Sequence, residues 1–359
     1  MEAVKNFINI INSPPIFVTL AIAFFFVAMR FIRFFTRTPV FLTLFGIFTA
    51  LFGFGLTDEQ FRSIVLLPDN VPIVGMLFLI IFFTWFALKK GVDNDIRMEK
   101  GEPTFEASES KEKLYTWPHL VYIEFLCIIL GSVVLLLWAI FLKAPLEAPA
   151  NPTVSPNPSK APWYFLGLQE MLVYFDPWIA GVLLPSMIII GLMAIPYIDR
   201  NPKGSGYYCF KDRAWMISGF LFGFLILWIF LIILGTFLRG PNWNFFGPFE
   251  TWDVHKLVPL VNINLSEIIW VKWFGVGLPK SFLIREIFGF SFLGLYFGLT
   301  PLILAKTVFR KLYTEMGLIR YGLFITFLLV MLLMPIKMYL RWLFNLKYIV
   351  AIPEFFFNV

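Results

Sequence analysis

Long apolar runs alternate with short polar and basic segments along the whole chain. Each run approaches about 20 residues, the length that an α-helix needs to cross a hydrocarbon core of about 30 Å. The pattern therefore predicts an all-α polytopic membrane protein with about eight transmembrane helices. The predicted spans 1 to 8 cover residues 16–35, 39–56, 71–88, 119–142, 177–197, 214–238, 283–305 and 318–336.

The composition supports a membrane protein and excludes several other classes. The chain is 59% hydrophobic and only 14% charged, whereas globular chains carry about 25% charged residues. Its net charge of +6 requires no nucleic-acid partner, because basic loops set the orientation of membrane proteins. No Cys-x-x-Cys-His sequence is present for c-type haem attachment. The two histidines, His119 and His255, cannot supply the paired axial ligands of two b haems, so we expect no metal site on this chain.

Basic residues predict the orientation of the spans. The loops that follow spans 1, 3, 5 and 7 hold 17 of the 29 Lys and Arg residues. The positive-inside rule places these four loops in the cytoplasm and both termini outside. The prediction is a multi-pass protein of the cytoplasmic (inner) membrane of a prokaryote, without a cleaved signal peptide. Three basic residues fall on the outer side, against the positive-inside rule: Lys337, Arg341 and Lys347. We explain them by a surface-lying helix after Pro335.

The loop 143–176 is predicted to lie outside and to be extended, since five prolines interrupt its first half. It ends in the cluster Pro162-Trp163-Tyr164-Phe165, just before span 5. Rigid rings and a phenol at the edge of the bilayer are suited to a flat, amphipathic ligand. They are also typical of the aromatic belt that anchors membrane proteins, and the residues alone favour that interpretation. The second outer loop, 239–280, carries four tryptophans: Trp243, Trp252, Trp270 and Trp273.

Spans 4 to 6 resemble the C-terminal half of cytochrome b, the form that stands alone as subunit IV of the cytochrome bf complex. Trp117-Pro118-His119 resembles the start of the family's fifth helix. The Pro-rich loop, the sequence 161–165 and Ala180-Gly181-Val182-Leu183 follow in the family's order. The resemblance divides the chain into three parts: residues 1–116 with three extra helices, a cytochrome b-like core at 117–240, and residues 241–359 with an aromatic outer loop, two helices and a tail.

The resemblance implies a subunit of a quinol:cytochrome c (or similar acceptor) oxidoreductase, inactive alone. In that class quinol is oxidised in an outer pocket, and its electrons pass to a Rieske iron–sulfur centre and to b haems, coupled to proton translocation. Both cofactors would be carried by partner chains, because the haem-binding half is absent here. The implied partners are the haem-bearing N-terminal half of cytochrome b, a Rieske protein and a c-type cytochrome. Together they would form a dimeric multi-subunit complex in the lipid membrane.

The resemblance also assigns candidate site residues. Pro162, Trp163, Tyr164 and Phe165 would form the quinol pocket, with Tyr164 able to exchange a hydrogen bond with a quinol hydroxyl. The family usually has an acid in place of Pro162, which is thought to accept a quinol proton. Proline has no titratable group, so Glu170 becomes the candidate replacement, although an acid facing water or a partner would explain it equally well.

Several other residues have both a functional and a structural interpretation. Glu124 and His119 are candidates for an inner quinone site or proton path, since an acid within a span is costly; both also fit an ordinary position at the interface. Asp176 is expected to cap the helix that starts at Pro177. Gly219 and Gly223 are expected to form a close helix contact.

Two other classes of function fit parts of the pattern. A membrane anchor of a different quinone-linked oxidoreductase would also have eight spans without haem ligands. A secondary transporter fits less well, because few charges lie within the spans and no inverted repeat is visible. A purely structural role stays open for spans 1–3 and 7–8.

Overall fold

The structure, a computed structural model, describes residues 2–109, 113–142, 149–153, 155–199 and 208–359. The start of the Pro-rich loop, with Pro145, therefore lies outside the described residues, as do Lys111, Arg200 and Lys203. The chain divides into two compact units. The first contains Met1–Val27, Asn157–Arg200 and Ala214–Val359, and the second contains Ala28–Pro156 and Asn201–Arg213. The sequence-based division of the chain at residues 116 and 240 follows the family resemblance, whereas these two units are defined by compactness. That division stays a prediction.

Seven helices in the described residues are long and apolar enough to cross a membrane, and a bent pair of helices brings the number to eight if it is taken as a single span. They correspond in order to the eight predicted spans and confirm an all-α polytopic membrane protein. The third and the last of them extend well beyond their predicted C-terminal ends, because hydrophobicity marks only the part of a helix that crosses lipid. The last one is interrupted at Gly317, directly before the predicted start of its span at residue 318. The bent pair is Glu2–Ile11 with Pro14–Arg30, at 73°; the others are Thr38–Gly55, Val71–Glu99, Thr116–Phe141, Ile179–Ile198, Lys211–Leu238, Ile287–Lys306 and Arg310–Phe344.

Short elements connect these spans. A nine-residue helix, Trp163–Met171, precedes the fifth span and is called the motif helix below. A two-stranded antiparallel sheet, Ala351–Ile352 with Phe357–Asn358, closes the C-terminal tail. The remaining short helices are Ile32–Phe35, Glu59–Val65, Phe105–Glu109 and Phe282–Arg285, with π-helical turns at Glu267–Trp273 and 3₁₀ turns at Pro241–Trp243 and Pro353–Phe355.

In the first unit, the motif helix packs closely against the helix Lys211–Leu238. A Cβ atom on Gly235 would lie 3.3 Å from the carbonyl oxygen of Leu166, and one on Gly167 would lie 3.5 Å from that of Trp228. Glycine at these two positions lets the backbones approach, as small residues do at helix contacts in membranes. The contact holds the motif helix at a fixed place in the fold.

The C-terminal helix, Arg310–Phe344, corrects one prediction. It continues through Pro335 to Phe344, so the predicted separate helix after Pro335 is not formed. Lys337 is fully buried, and its Nζ donates to the carbonyl oxygen of Lys347 at 2.7 Å. Arg341 donates to the carbonyl oxygens of Val261 at 2.9 Å and Asn345 at 3.1 Å. Backbone carbonyls therefore hold these cations inside the first unit, whereas the sequence predicted them on a surface-lying helix.

Both ends of the chain lie at the same end of the first unit as the motif. Asn9 accepts a hydrogen bond at 2.9 Å from the backbone N–H of Phe249, in the loop after the sixth span. Asn157, just before the motif, donates at 2.9 Å to Asn242 of the same loop. The C-terminal tail joins this loop through the backbone N–H of Lys347, which donates to the carbonyl oxygen of Ile263 at 2.8 Å. These contacts agree with an even number of spans, because an even number places both termini on the same side of the membrane. That this side is the outer one stays a prediction.

In the second unit, aromatic residues pack the helices Thr38–Gly55 and Val71–Glu99. The rings of Phe41 and Trp85 stack at 4.1 Å, and Trp85 donates to the carbonyl oxygen of Thr36 at 3.1 Å. The helix Thr116–Phe141 differs, since every residue along it is exposed within this chain. Its surface is therefore free for lipid or for another subunit.

Candidate functional site

The predicted cluster Pro162-Trp163-Tyr164-Phe165 forms the start of the motif helix. Pro162 directly precedes the helix in an extended conformation, and its carbonyl oxygen accepts a hydrogen bond from the N–H of Phe165 at 2.8 Å. Trp163 and Tyr164 meet edge to face, with ring centres 5.6 Å apart. The three rings are between 38% and 47% exposed. Their faces are therefore open to a ligand, to lipid or to a partner chain.

An open cavity of about 460 Å³ lies beside this cluster in the first unit. Its volume falls in the range of small-molecule pockets, about 300–1,000 Å³. Of the four predicted pocket residues, Phe165 lines it, whereas Pro162, Trp163 and Tyr164 lie outside the lining. The lining residues are Ser159, Lys160, Ala161, Phe165, Leu168, Gln169, Leu172 and Gly181.

Lys160 is a lining residue that the sequence interpretation missed. Its Nζ donates to the carbonyl oxygen of Thr236 at 2.7 Å and lies 4.9 Å from the ring centre of Trp252. Burial lowers the pKa of Lys160 to about 8, because the ammonium form loses hydration. The signal available in the sequence was a lysine two residues before Pro162, at the end of the Pro-rich segment.

Gln169 fastens the loop that carries Lys160 to the motif helix. Its Oε1 accepts a hydrogen bond from the N–H of Ala161 at 2.8 Å, and its Nε2 donates to the carbonyl oxygen of Ser159 at 2.9 Å. These two bonds enclose Lys160 between two fixed backbone positions. The amide therefore shapes one wall of the cavity, a role for which the sequence gives no signal because the partners are backbone atoms.

Glu170 is fully buried and forms an ion pair with Arg239. Arg239 donates from Nε to Oε2 at 2.9 Å and from Nη2 to Oε1 at 2.6 Å, and the Tyr174 hydroxyl donates to Oε1 at 3.2 Å. Burial and the charge of Glu170 raise the pKa of Tyr174. Burial by itself would lower the pKa of Arg239, since it disfavours the charged guanidinium. The attraction of the Glu170 carboxylate is larger and raises the pKa of Arg239. The Glu170 carboxylate lies outside the cavity lining, and its predicted role as proton acceptor stays a prediction.

Asp176 caps the fifth span, as expected. Its Oδ1 accepts a hydrogen bond from the N–H of Trp178 at 3.1 Å, the geometry of an N-cap side chain. Its Oδ2 accepts from the Asn358 amide at 3.2 Å and from the Tyr348 hydroxyl at 3.4 Å. The cap thus also anchors the C-terminal tail near the motif helix.

The residues predicted for an inner site lie in the second unit. His119 and Glu124 are both on the helix Thr116–Phe141, five residues apart, and both are exposed within this chain. The ring of Tyr115 lies 6.1 Å from that of His119. Their roles in quinone reduction or proton delivery stay predictions. Across the described residues, no three His, Cys, Asp or Glu side chains come together as a metal site.

One comparison with known proteins bears directly on the cavity. Residues 149–252 match the family model described as Cytochrome b(C-terminal)/b6/petD. The matched segment contains the motif helix, the cavity lining and both members of the Glu170–Arg239 pair. It begins after the helix Thr116–Phe141, so the predicted counterpart of the family's fifth helix lies outside the match. No solved structure matches the chain.

Proposed function

We propose, from the premise that this chain carries a C-terminal segment of cytochrome b, that it is the quinone-site subunit of a cytochrome bc-type complex. In this proposal quinol is oxidised beside the motif helix, on the outer face of the membrane. The chain acts only as part of a multi-subunit assembly and contributes to respiratory electron transport and proton translocation. If the chain were instead the membrane anchor of another quinone-linked enzyme, its match to the cytochrome b family model would have no explanation.

The observation that carries the proposal is the position of the open cavity within the matched segment. Phe165, Leu168 and Leu172 form the apolar part of the cavity lining, and Ser159, Lys160 and Gln169 provide its polar groups. A quinol has a flat apolar ring with hydroxyl groups at opposite ends. A lining with both apolar and polar residues is suited to a quinol, because the apolar residues supply affinity for the ring and the few polar groups fix its orientation.

Each member of the motif has a proposed role. Trp163 and Phe165 provide flat faces that guide the quinol ring from the bilayer into the cavity. The exposed Tyr164 phenol exchanges a hydrogen bond with a quinol hydroxyl. Pro162 sets the extended start of the helix and presents the rings at its first turn. The Glu170–Arg239 pair keeps the motif helix joined to the end of the sixth span.

Partner chains complete the proposed reaction. The electrons are accepted by a Rieske iron–sulfur centre and by b haems carried on those chains. The helix Thr116–Phe141, exposed along its whole length, is a natural place for the haem-bearing half of cytochrome b to bind. His119 and Glu124 on that helix would then face an inner quinone site. A c-type cytochrome, a dimeric assembly and a prokaryotic inner membrane with both termini outside belong to the same proposal.

Isolation of the native complex through a tag on this chain tests the proposal. We expect b-type haem in the dithionite-minus-oxidised spectrum, together with a cytochrome b N-terminal half and a Rieske protein among the subunits. A preparation with neither b haem nor a Rieske protein would contradict the assignment. Peripheral molybdenum or iron–sulfur subunits in their place would favour the membrane-anchor alternative.

A further inference from the structure

The cavity beside the motif has a single titratable side chain in its described lining, Lys160. Pro162 has no titratable group, and Glu170 is held by two hydrogen bonds from Arg239 away from the lining. Quinol oxidation releases protons, and a base within hydrogen-bond reach accelerates that step. The amine of Lys160 is the group in the described lining that can accept one.

We propose that Lys160 accepts the proton of the quinol hydroxyl, in the place of the acid that Pro162 replaces. The inference rests on the proposed function and adds a chemical role to it. In the step, the quinol O–H bond breaks and an N–H bond forms on the neutral amine. The electron pair of the O–H bond stays on the quinol oxygen. The quinol electrons then pass to the one-electron acceptors on the partner chains, and the ammonium returns its extra proton to water.

The surroundings of Lys160 stabilise both of its forms. Burial favours the neutral amine. The carbonyl oxygen of Thr236 at 2.7 Å and the face of the Trp252 ring at 4.9 Å favour the ammonium. Burial prevails and lowers the pKa of Lys160 to about 8, which is close to neutral pH, where a general base is most effective.

The two neighbours of Lys160, Thr236 and Trp252, each carry a buried polar group. Thr236 Oγ1 and Trp252 Nε1 are both buried and have no hydrogen-bond partner among the described residues. Buried polar groups of this kind are normally satisfied by ordered water. In the proposal, water bound to the Thr236 hydroxyl and the Trp252 indole takes the proton from the ammonium.

Among the residues that the structure describes, the other charged groups on the packed elements have partners of their own and leave Lys160 without an ion pair. On the motif helix and at the end of the sixth span, Glu170 and Arg239 pair with each other. On the loop that carries Trp252, Glu250 pairs with Lys256 at 2.6 Å, and Asp253 accepts from the backbone of His255. Burial is the cause of the lowered pKa of Lys160, so the titration of Lys160 does not depend on the protonation of a charged neighbour.

The test compares Lys160→Arg with the wild-type complex. Arginine keeps the positive charge and the possible bond to Thr236, but it does not lose its proton at accessible pH. We expect quinol oxidation per b haem to fall by about 100-fold or more, the usual contribution of a general base. The wild-type rate should rise as pH increases through about 8, because only the neutral amine accepts a proton, and this rise should disappear in the variant.

Lys256→Arg is the matched control. Lys256 also donates to a backbone carbonyl, of Phe245 at 2.8 Å, and also lies over a ring, of Phe246 at 4.2 Å, but it is outside the cavity lining. Its variant should keep the rate and the pH profile.

Three outcomes decide the proposal. A Lys160→Arg complex with the wild-type rate and the same rise overturns it, because a structural lysine is replaced by arginine without loss. If that variant does not assemble, the wild-type profile decides, and a rate that is flat between about pH 7 and 9 overturns it. A wild-type complex that never oxidises quinol overturns the proposed function itself, which is a distinct result.

Discussion

Arg239 holds both carboxylate oxygens of Glu170, with donor–acceptor distances of 2.9 Å and 2.6 Å, and the carboxylate is fully buried. The pair joins the motif helix to the first residue after the sixth span. A buried charge that loses its partner is expensive, since it keeps its desolvation cost without the compensating attraction. The pair therefore ties the position of the motif to the stability of the first unit.

We expect Glu170→Gln to destabilise the complex by about 3–5 kcal/mol, because Arg239 is left charged and unpaired. The double variant Glu170→Leu with Arg239→Met should recover much of this loss. Thermal unfolding of the purified complex provides the measurement. Glu250→Gln is the control, since the Glu250–Lys256 pair is partly exposed and such pairs contribute about 0–1 kcal/mol. Equal losses of stability in Glu170→Gln and Glu250→Gln would show that the buried pair contributes no more to stability than an exposed one.

Glu170→Gln also separates two hypotheses about the proton acceptor. The sequence-based hypothesis assigns the proton to Glu170 and predicts a changed pH dependence of quinol oxidation per assembled complex. If Lys160 accepts the proton, the profile should keep its rise near pH 8 even where less complex assembles, since the pKa of Lys160 is about 8. A profile that loses this rise in Glu170→Gln would return the role to Glu170.

Gln169→Ala should weaken quinol binding and leave the chemical step largely intact. The side chain makes two hydrogen bonds to the backbone of Ser159 and Ala161, each contributing about 1 kcal/mol. Their loss should raise KM for quinol by about 5- to 30-fold with a smaller change in kcat. Gln60→Ala, in the second unit, is the control. A fall in kcat at constant KM would show that Gln169 acts in the chemistry.

Tyr164→Phe should slow quinol oxidation by about 3- to 10-fold, the effect of one neutral hydrogen bond in the reacting complex. The amount of b haem per complex should stay the same, because the Tyr164 ring is 46% exposed. Tyr197→Phe, at an exposed phenol at the other end of the fifth span, should have no effect. Unchanged turnover in Tyr164→Phe would place the quinol hydroxyl away from this phenol.

The order and number of the spans were predictable from the sequence, because lipid imposes a hydrophobic length that can be read directly. The cap at Asp176 was predictable for a similar reason, since capping is local. The close helix contact expected at Gly219 and Gly223 was only partly correct. A Cβ on Gly219 would meet nothing within 4 Å, whereas one on Gly223 would lie 3.0 Å from the Met331 sulfur.

The residues around the cavity were harder to predict because their partners are distant in sequence. Lys160 reaches the carbonyl of Thr236, 76 positions away, and Arg239 reaches Glu170 across 69 positions. The same holds for Lys337 and Arg341, whose charge suggested a surface while loop carbonyls keep them buried. Local pattern shows that a side chain is charged, but tertiary packing decides whether it meets water or a carbonyl.

Gly235→Val tests the contact that positions the motif helix. A Cβ there would lie 3.3 Å from the Leu166 carbonyl oxygen, so the larger side chain should cost about 1–3 kcal/mol by overpacking. The expected result is a lower unfolding temperature together with a raised KM for quinol. Gly219→Val, in open space on the same helix, should change neither quantity. Equal effects of the two substitutions would argue against a special contact at Gly235.

Photoaffinity labelling with an azidoquinone tests the central claim most directly. The intact complex is labelled in the membrane, and the modified residues are located by mass spectrometry. The account predicts adducts on the motif helix and the cavity lining, at Tyr164, Phe165 or Leu168, that excess quinol suppresses. Suppressible adducts confined to other parts of the chain, or to other subunits, would contradict a quinol site beside the motif helix.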